Sequence, residues 1–272
     1  MTLSLDAALS GMIEQERNLE LIANNLTNVN TTGYKRAVVQ FQDVLNTAEI
    51  IDAINGQLPA DEATVTAGVG TDAPRREFTQ GPLLASSMPF DMAIVGEGFF
   101  RVMLEDGTVA YTRDGTFRLD ADRQLVTARG QRLEPPLTLP ESFDQFRVEQ
   151  DGTVVVRRPY TAEELADLDP DAPTGGVVEV VGRLVLTRFA DQGSLASIGH
   201  NLFVETEASQ APIDGFPGED GRGQAVSGFL EGSNVDLAQE MSAMVIANRA
   251  YQLNLAAYRT IQEMLEQANE LA

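Results

Sequence analysis

Residues Ser233 to Ala272 read SNVDLAQEMSAMVIANRAYQLNLAAYRTIQEMLEQANELA and contain neither glycine nor proline. When every seventh residue is placed in one row, one row is apolar, and the row beside it mixes apolar residues with amides. This heptad pattern predicts a helix of about 55–60 Å whose narrow seam needs a partner. Ser233 and Asp236 resemble a capping box at the helix start. The rows are Leu237, Met244, Tyr251, Tyr258, Leu265 and Ala272, and Met241, Asn248, Leu255, Gln262 and Asn269.

A second heptad segment occupies residues 3–28. Leu5, Met12, Leu19 and Leu26 share one row, and only Gly11 interrupts the segment. The apolar seam is narrow, as in a coiled coil, although a surface helix on a globular core is the common alternative. Because the two segments lie at opposite ends of the chain, we expect them to pair when the middle of the chain closes on itself.

Amide side chains interrupt the seam of the C-terminal helix at Asn248, Gln262 and Asn269. Two explanations stay open. The amides are partly exposed, or they set register and partner choice, as a buried asparagine does in some coiled coils. A seam that is incomplete for two helices can be completed in a polymer, where each helix meets several neighbours.

The composition restricts the classes of function. The chain has 272 residues, 43% of them hydrophobic, and a formal net charge of −22. Such a polyanion repels nucleic acid phosphates and anionic membranes, so neither is an expected partner. The absence of cysteine excludes disulfides and thiolate metal sites. The first residues lack a basic leader and an uninterrupted apolar run, so we expect any export to proceed without a cleaved signal peptide.

No motif indicates catalysis or a cofactor. His200 is the single histidine, and one histidine without cysteine does not build a zinc site of ordinary composition. Asp167, Asp169 and Asp171 resemble half of a calcium loop, but the loop lacks its glycine and its bidentate glutamate. We therefore predict a protein that is not an enzyme, with no catalytic, cofactor-binding or metal-binding residue and no small-molecule substrate.

The middle of the chain shows a different pattern. Between Phe90 and Glu231, short β-forming runs separated by turn signals predict an antiparallel β domain, sandwich-like or barrel-like. Before it, the apolar residues between Phe41 and Ile54 could continue a helix, and residues 159–176 form an acidic excursion. The expected fold class is therefore α+β. The predicted strands are 92–95, 99–104, 108–112, 116–119, 124–127, 153–158, 177–189 and 201–205, and the Asp-Gly turn signals are Asp106-Gly107, Asp114-Gly115, Asp151-Gly152, Asp214-Gly215 and Asp220-Gly221.

Four stretches resemble the bacterial flagellar rod and hook family, in the order that the family shows. Residues 22–36 read IANNLTNVNTTGYKR, which by composition alone is only a helix stop, and residues 232–271 resemble the family's C-terminal helix. Residues 88–130, beginning MPFDMAIVGEGFF, resemble its central signature. These residues and 182–206, GRLVLTRFADQGSLASIGHNLFVET, are most similar to distal-rod members, with proximal-rod or hook-type members as the near alternative.

The resemblance implies four segments. Residues 1–36 and 232–272 would form a coiled-coil domain, 37–89 an extended stretch that touches neighbouring subunits, and 90–231 the β domain. The implied function is a structural subunit of the distal rod, which polymerises into a helical tube, carries motor torque to the hook and lines the export channel. A different class, an extracellular coiled-coil and β fibre protein, fits less well because the secretory signal and a longer heptad region are missing.

The resemblance also implies partners and a location. The partners are other copies of the chain, the proximal rod, the hook, the flagellar type III export apparatus and the bushing proteins around the rod. The location is the basal body, outside the cytoplasm in the periplasmic or cell-wall zone. The residues predicted to make assembly contacts are Leu5, Met12, Leu19, Asn24, Asn25, Leu26, Asn28, Gly33, Leu237, Met241, Met244, Asn248, Tyr251, Leu255, Tyr258 and Leu265.

Overall fold

The chain divides into two compact units. A computed structural model describes residues 2–39, 41–45, 67–71, 74–160 and 176–270. The terminal unit comprises Met1–Val29, Ala37–Glu77 and Val235–Ala272, and the β unit comprises Asn30–Arg36 and Phe78–Asn234. The α+β class and the antiparallel strand pairing are confirmed. Most of the predicted acidic excursion lies outside the described residues.

Two long helices dominate the described part of the terminal unit. Helix α1 spans Thr2–Thr27, and helix α2 spans Leu237–Glu270 and is 34 residues, or about 51 Å, long. Asn25 lies against Glu240, and a Cβ atom at Gly11 would lie 2.9 Å from Nδ2 of Asn254. The end of α1 therefore lies beside the start of α2, so the two helices pack together in antiparallel orientation.

The start of α2 differs from the predicted capping box. The side chain of Asp236 accepts hydrogen bonds from the amides of Ala238, at 2.8 Å, and Gln239, at 3.0 Å. Asp236 is therefore the N-cap, and the prediction that Ser233 opens the helix was wrong. An aspartate directly before the helix satisfies two amides of the first turn that have no partner within the helix.

Two short ribbons complete the described part of the terminal unit. Strand β1 (Ala37–Val38) pairs with β4 (Arg75–Arg76), and β2 (Phe41–Leu45) pairs with β3 (Ala67–Thr71). The predicted helix beyond Phe41 is wrong over residues 41–45, and residues 46–54 lie outside the described part. Pairing with a distant strand overrides a local apolar pattern that is ambiguous between helix and strand.

The β unit is built from short antiparallel strands. Its largest sheet has the order β16-β17-β8-β7-β11-β10-β9, with β15 and β18 joined to it through β7, and a three-stranded sheet has the order β12-β13-β14. Two further ribbons pair β6 with β19 and β5 with β20. The strands are β5 (Leu83–Ala85), β6 (Met92–Val95), β7 (Phe99–Met103), β8 (Val109–Thr112), β9 (Phe117–Leu119), β10 (Leu125–Thr127), β11 (Arg132–Glu134), β12 (Gln145–Val148), β13 (Thr153–Arg158), β14 (Val177–Arg183), β15 (Leu186–Arg188), β16 (Ala196–Gly199), β17 (Leu202–Val204), β18 (Ile213–Gly215), β19 (Gln224–Ser227) and β20 (Phe229–Glu231).

The predicted strands form, with shifted ends and one division. The run predicted at 177–189 is two strands, β14 and β15, of different sheets. Asp214-Gly215 was predicted as a turn but lies in β18, where Asp214 pairs with Thr187. An Asp-Gly pair can therefore lie in a strand when a neighbouring strand supplies the backbone partners.

Aromatic side chains fill one part of the β unit's core. Phe99 packs edge-to-face against Phe78, Phe189 and Phe203, with ring centroids 5.1–6.2 Å apart. Elsewhere the backbone itself is close-packed, because a Cβ atom at Gly115 would lie 1.5 Å from the carbonyl oxygen of Met92. Such contacts leave no room for a side chain at this glycine.

Candidate assembly site

Both α1 and α2 bury part of their surface within the terminal unit. On α1, Met12 and Ile22 are 8% and 5% exposed, and on α2, Ala247 is 3% exposed. Tyr251 and Tyr258 of α2 are half-buried. At about 100° per residue, Ala247, Tyr251 and Tyr258 share one face of α2. Two residues of the predicted seam, Tyr251 and Tyr258, therefore lie on the face of α2 that contacts α1, whereas Leu237, Met241 and Asn248 are exposed. The coiled-coil pairing of the two helices stays a prediction.

The predicted assembly residues fall into four groups by exposure. Their roles between subunits stay a prediction, because a single chain shows only which side chains its own fold covers. Leu5 and Leu265 lie among the residues whose side chains are not described. The buried residues are Met12, Asn25 and Gly33; the half-buried ones are Leu19, Leu26, Asn28, Met244, Tyr251, Leu255 and Tyr258; the exposed ones are Asn24, Leu237, Met241 and Asn248.

Helix α2 carries two exposed apolar flanks beside its buried face. The first flank contains Leu237, Met241 and Val245, which are 50%, 55% and 52% exposed. The second contains Ile246, Leu253 and Met264, which are 68%, 71% and 51% exposed. On a helical projection the flanks lie roughly 100° to either side of the face that contacts α1. Contiguous exposed apolar side chains of this kind mark interaction surfaces.

Sequence reasoning missed the second flank. Ile246 and Leu253 are seven residues apart, so the same heptad reading finds them once a second seam is sought. The face of α2 opposite α1 is polar and exposed, with Ser242, Arg249 and Thr260. One helix thus presents a buried face, two apolar flanks and a polar face.

Asn25 is a structural residue of the terminal unit. Its side-chain amide donates to the carbonyl oxygen of Ala37 at 2.8 Å and to Glu240 at 3.3 Å, and its oxygen accepts from the Ala37 amide at 2.9 Å. Asn25 and Glu240 are each 1% exposed. The preceding Asn24 is exposed, and its backbone carbonyl accepts a 2.8 Å hydrogen bond from Asn28. The Asn-rich motif therefore both ends α1 and fixes the strand that follows.

Gly33 is required by the packing of the β unit. Its φ is +67°, which disfavours any side chain, and a Cβ atom would lie 2.5 Å from the amide nitrogen of Asp114. Its amide donates to the carbonyl oxygen of Glu231 at 2.8 Å. This glycine thus joins the segment after α1 to the strand before α2, both within the β unit.

A buried ion cluster lies at the same place in the β unit. The Nζ atom of Lys35 is 2.5 Å from Oε1 of Glu231, and Nη1 of Arg113 is 3.4 Å from Oε2. Lys35 also donates to the Thr79 carbonyl at 2.8 Å, and the Gly81 amide donates to Glu231 at 3.0 Å. The lysine and the glutamate are at most 1% exposed. One carboxylate therefore lies within ion-pair distance of two cations in a site closed to water.

Burial lowers the pKa of both cations of this cluster. Desolvation lowers the pKa of the Lys35 amine, and the attraction of Glu231 opposes that effect. Desolvation likewise lowers the pKa of the Arg113 guanidinium, again against the pull of Glu231. Sequence reasoning missed this cluster, although Lys35 is the only lysine of the chain and stands in the quoted motif.

The described residues show no arrangement suited to a metal or to a bilayer. No group of three or more histidine and carboxylate side chains within them could hold a metal ion. The predicted calcium-like segment lies outside them, and His200 is exposed in the turn between β16 and β17. Neither α1 nor α2, as far as each is described, is apolar enough over a sufficient length to cross a membrane.

Comparison with known families and proteins gives matches along the chain. Residues 5–35 match the family model of flagella basal body rod proteins, and residues 93–156 match the flagellar hook protein FlgE/F/G D1 domain. Residues 226–271 match the C-terminal region of flagellar basal body rod FlgEFG proteins. These matches cover both long helices and the start of the β unit.

Several proteins that match over nearly the whole chain are flagellar basal-body rod proteins. The flagellar basal-body rod protein FlgG of Borreliella burgdorferi is 38% identical, over 100% of this chain and 99% of that protein. FlgG of Agrobacterium fabrum is 35% identical over 96% of both chains, and FlgG of Caulobacter vibrioides is 34% identical over 98% of both. Identity at this level over whole chains establishes common descent, and the chain belongs to the FlgG family of structural flagellar basal-body rod proteins.

Proposed function

We propose that this rod subunit polymerises into the helical tube of the distal rod, transmits motor torque to the hook and lines the export channel. The observation that carries the proposal is the pair of exposed apolar flanks on α2. Ile246 and Leu253 are 68% and 71% exposed, so their apolar side chains would stay in contact with water unless another subunit covered them.

Two flanks on one helix favour an open polymer. Because the flanks lie on different sides of α2, the helix can contact one neighbour through Met241 and a second neighbour through Leu253. Contacts between unlike surfaces continue from subunit to subunit and generate a helical filament unless the rotation closes a ring. In that polymer, α1 and α2 of each subunit would pack with neighbouring helices as a coiled-coil layer.

The polar face of α2 supports the proposal that the subunit lines the export channel. Arg249 and Thr260 are exposed on the side opposite α1. If the buried face and both flanks are occupied by helices, this remaining face borders water. A polar lining suits passage of unfolded exported chains, because it offers them no extended apolar surface.

Each of the four segments of the chain would have its own place in the tube. Residues 1–36 and 232–272 form the coiled-coil layer, 90–231 form the outer β domain, and 37–89 contact adjacent subunits. Exposed Leu83 and Leu84, at 40% and 51%, support contacts in that last segment. The subunit would be exported through the flagellar type III apparatus and would lie outside the cytoplasm, between the proximal rod and the hook and inside the bushing proteins.

Substitution of Leu253 by aspartate tests the polymerisation step. The Leu253→Asp subunit should be missing from purified basal bodies, and cells that carry only this variant should be non-motile. Its β unit should keep the far-UV circular dichroism of the unchanged protein, because the side chain is exposed. Leu255→Asp should act in the same way.

Ala256→Asp is the matched control, since it places the same charge at an exposed position in the row of Ser242, Arg249 and Glu263, away from both flanks. That variant should assemble and support motility. Normal incorporation of Leu253→Asp would overturn the proposed contact layer. Electron microscopy of basal bodies carrying a labelled subunit tests the position, and a label outside the interval between proximal rod and hook would overturn the distal assignment.

A further inference from the structure

The outer face of the sheet β12-β13-β14 combines arginine and exposed valine. Strand register places Arg147, Val155 and Val180 in one row across the sheet. It places Gln145, Arg157 and Val178 in the next row. We call this surface the valine–arginine face; it consists of Gln145, Arg147, Val155, Arg157, Val178 and Val180.

The exposure of this face is unusual for a strand at a sheet edge. Val178 and Val180 are 60% and 64% exposed on β14, and within the described residues β14 pairs only with β13. Soluble proteins commonly protect such edges with charges that point outward along the strand. Two of the three exposed residues of β14, Val178 and Val180, are apolar, and the third is Glu179.

The two arginines of this face are not neutralised by the rest of the described chain. Arg101, Arg158 and Arg183 of the β unit each lie within ion-pair distance of a carboxylate. Among the described residues, Arg147 and Arg157 have no ion pair, and both are exposed. Within the part of the chain that the structure describes, Glu149 is the one acidic residue that lines the adjoining groove, which has a volume of about 210 Å³. The face therefore carries local positive charge on a chain whose net charge is −22.

We infer that the valine–arginine face docks an acidic surface of a second copy of this chain within the rod. The inference rests on the proposed polymerisation. Copies with a charge of −22 repel one another, so a stable contact needs a site where the sign is reversed. Arginine is enriched in the cores of protein interfaces because its planar head binds carboxylates in a bidentate geometry.

The valines give this contact a partly apolar character. Val155, Val178 and Val180 lie beside the arginines, so a docked surface would exclude water from the ion pairs and strengthen them. The same acidic surface is available on every subunit, since the chain has 41 acidic residues and 19 basic ones. A basic face and an acidic face are unlike surfaces, so this contact also continues from subunit to subunit.

Photo-crosslinking in assembled basal bodies tests the occupant. A p-benzoylphenylalanine residue at Val180 is irradiated in cells, and basal bodies are purified and separated by mass. We expect an adduct of twice the 29.4 kDa subunit mass, in which mass spectrometry identifies an acidic peptide of this chain attached to position 180. An adduct with a different protein only, or no adduct, would overturn the inference. Subunit present in those basal bodies would leave the proposed function standing.

Charge reversal supplies the matched pair of variants. Arg147→Glu/Arg157→Glu should lower the yield of the subunit–subunit adduct at least about tenfold, or exclude the subunit from basal bodies. Arg118→Glu/Arg129→Glu makes the same change in net charge at two other exposed arginines and should leave the yield within about twofold. Equal yields from the two double variants would refute a specific role of the valine–arginine face.

Discussion

Replacement of Glu231 by glutamine removes the one negative charge of the buried ion cluster and keeps the shape of the side chain. In the native protein, Oε1 accepts from Lys35 and from the Gly81 amide, and Oε2 lies 3.4 Å from Arg113. Glutamine can retain one of these acceptor positions. Its NH₂ group then faces a donor, either the guanidinium or the ammonium group, and both cations lose their counter-charge.

The expected cost follows from the burial of the cluster. Removal of one partner from a buried ion pair destabilises a protein by about 3–5 kcal/mol, because it leaves an uncompensated charge. Glu231 and Lys35 are 1% and 0% exposed, so water does not replace the lost carboxylate. With a urea dependence of about 3 kcal/mol per molar, the midpoint of unfolding should fall by about 1–1.7 M.

Urea unfolding followed by far-UV circular dichroism measures this shift in the full-length subunit. Glu207→Gln is the control, because Glu207 is exposed and the same change there should move the midpoint by less than about 0.2 M. The double variant Lys35→Met/Glu231→Gln should lose less stability than the sum of the two single variants. The reason is that Lys35→Met removes the ammonium charge that Glu231→Gln alone would leave without a partner. Equal midpoints for Glu231→Gln and Glu207→Gln would refute the reasoning.

Three further substitutions test other parts of the fold in the same urea assay. Asn25→Ala should cost about 2–4 kcal/mol because it leaves buried partners unsatisfied, while Asn24→Ala next to it should cost less than about 1 kcal/mol; equal costs would contradict the assignment. Gly115→Ala should cost at least about 3 kcal/mol, since the new Cβ atom would meet the Met92 carbonyl oxygen at 1.5 Å, and a native midpoint would contradict that contact. Burial raises the pKa of Tyr111 to about 12, so the free energy of unfolding should fall by up to about 2.7 kcal/mol as pH rises from 10 to 12. Tyr111→Phe should lack that part of the decline, and an unchanged pH profile would contradict the shift.

The two long helices and part of the strands were predictable because their signals are local. Heptad spacing identified both long helices, and alternation bounded by turn residues identified β6 and β13 at their observed ends. The errors arose where a distant partner decides the local conformation. Residues 41–45 form a strand because residues 67–71 pair with them. The sequence of residues 41–54 alone does not indicate that a partner strand follows.

The buried polar contacts were not predictable for the same reason. Lys35 and Glu231 are separated by 196 residues, and Asn25 and Glu240 by 215. Asn24 and Asn25 are adjacent and chemically identical, yet one is exposed and the other is 1% exposed. Composition cannot distinguish them, because only the position of Ala37 and of α2 determines which amide is enclosed.

The two flanks of α2 differ in polarity, which bears on the amide residues of the seam. Asn248 lies on the flank of Met241 and accepts a 2.9 Å hydrogen bond from Gln252, whereas the flank of Ile246 and Leu253 carries no amide between residues 246 and 264. Packing two apolar surfaces together buries more apolar area than packing one against a mixed surface. The amides of the mixed flank also lose water when an apolar surface covers them. That loss opposes arrangements in which the amides stay unpaired. In the proposed polymer, exposed amides on one flank only would therefore restrict how neighbouring helices pack, and a polymer with a single register requires such a restriction.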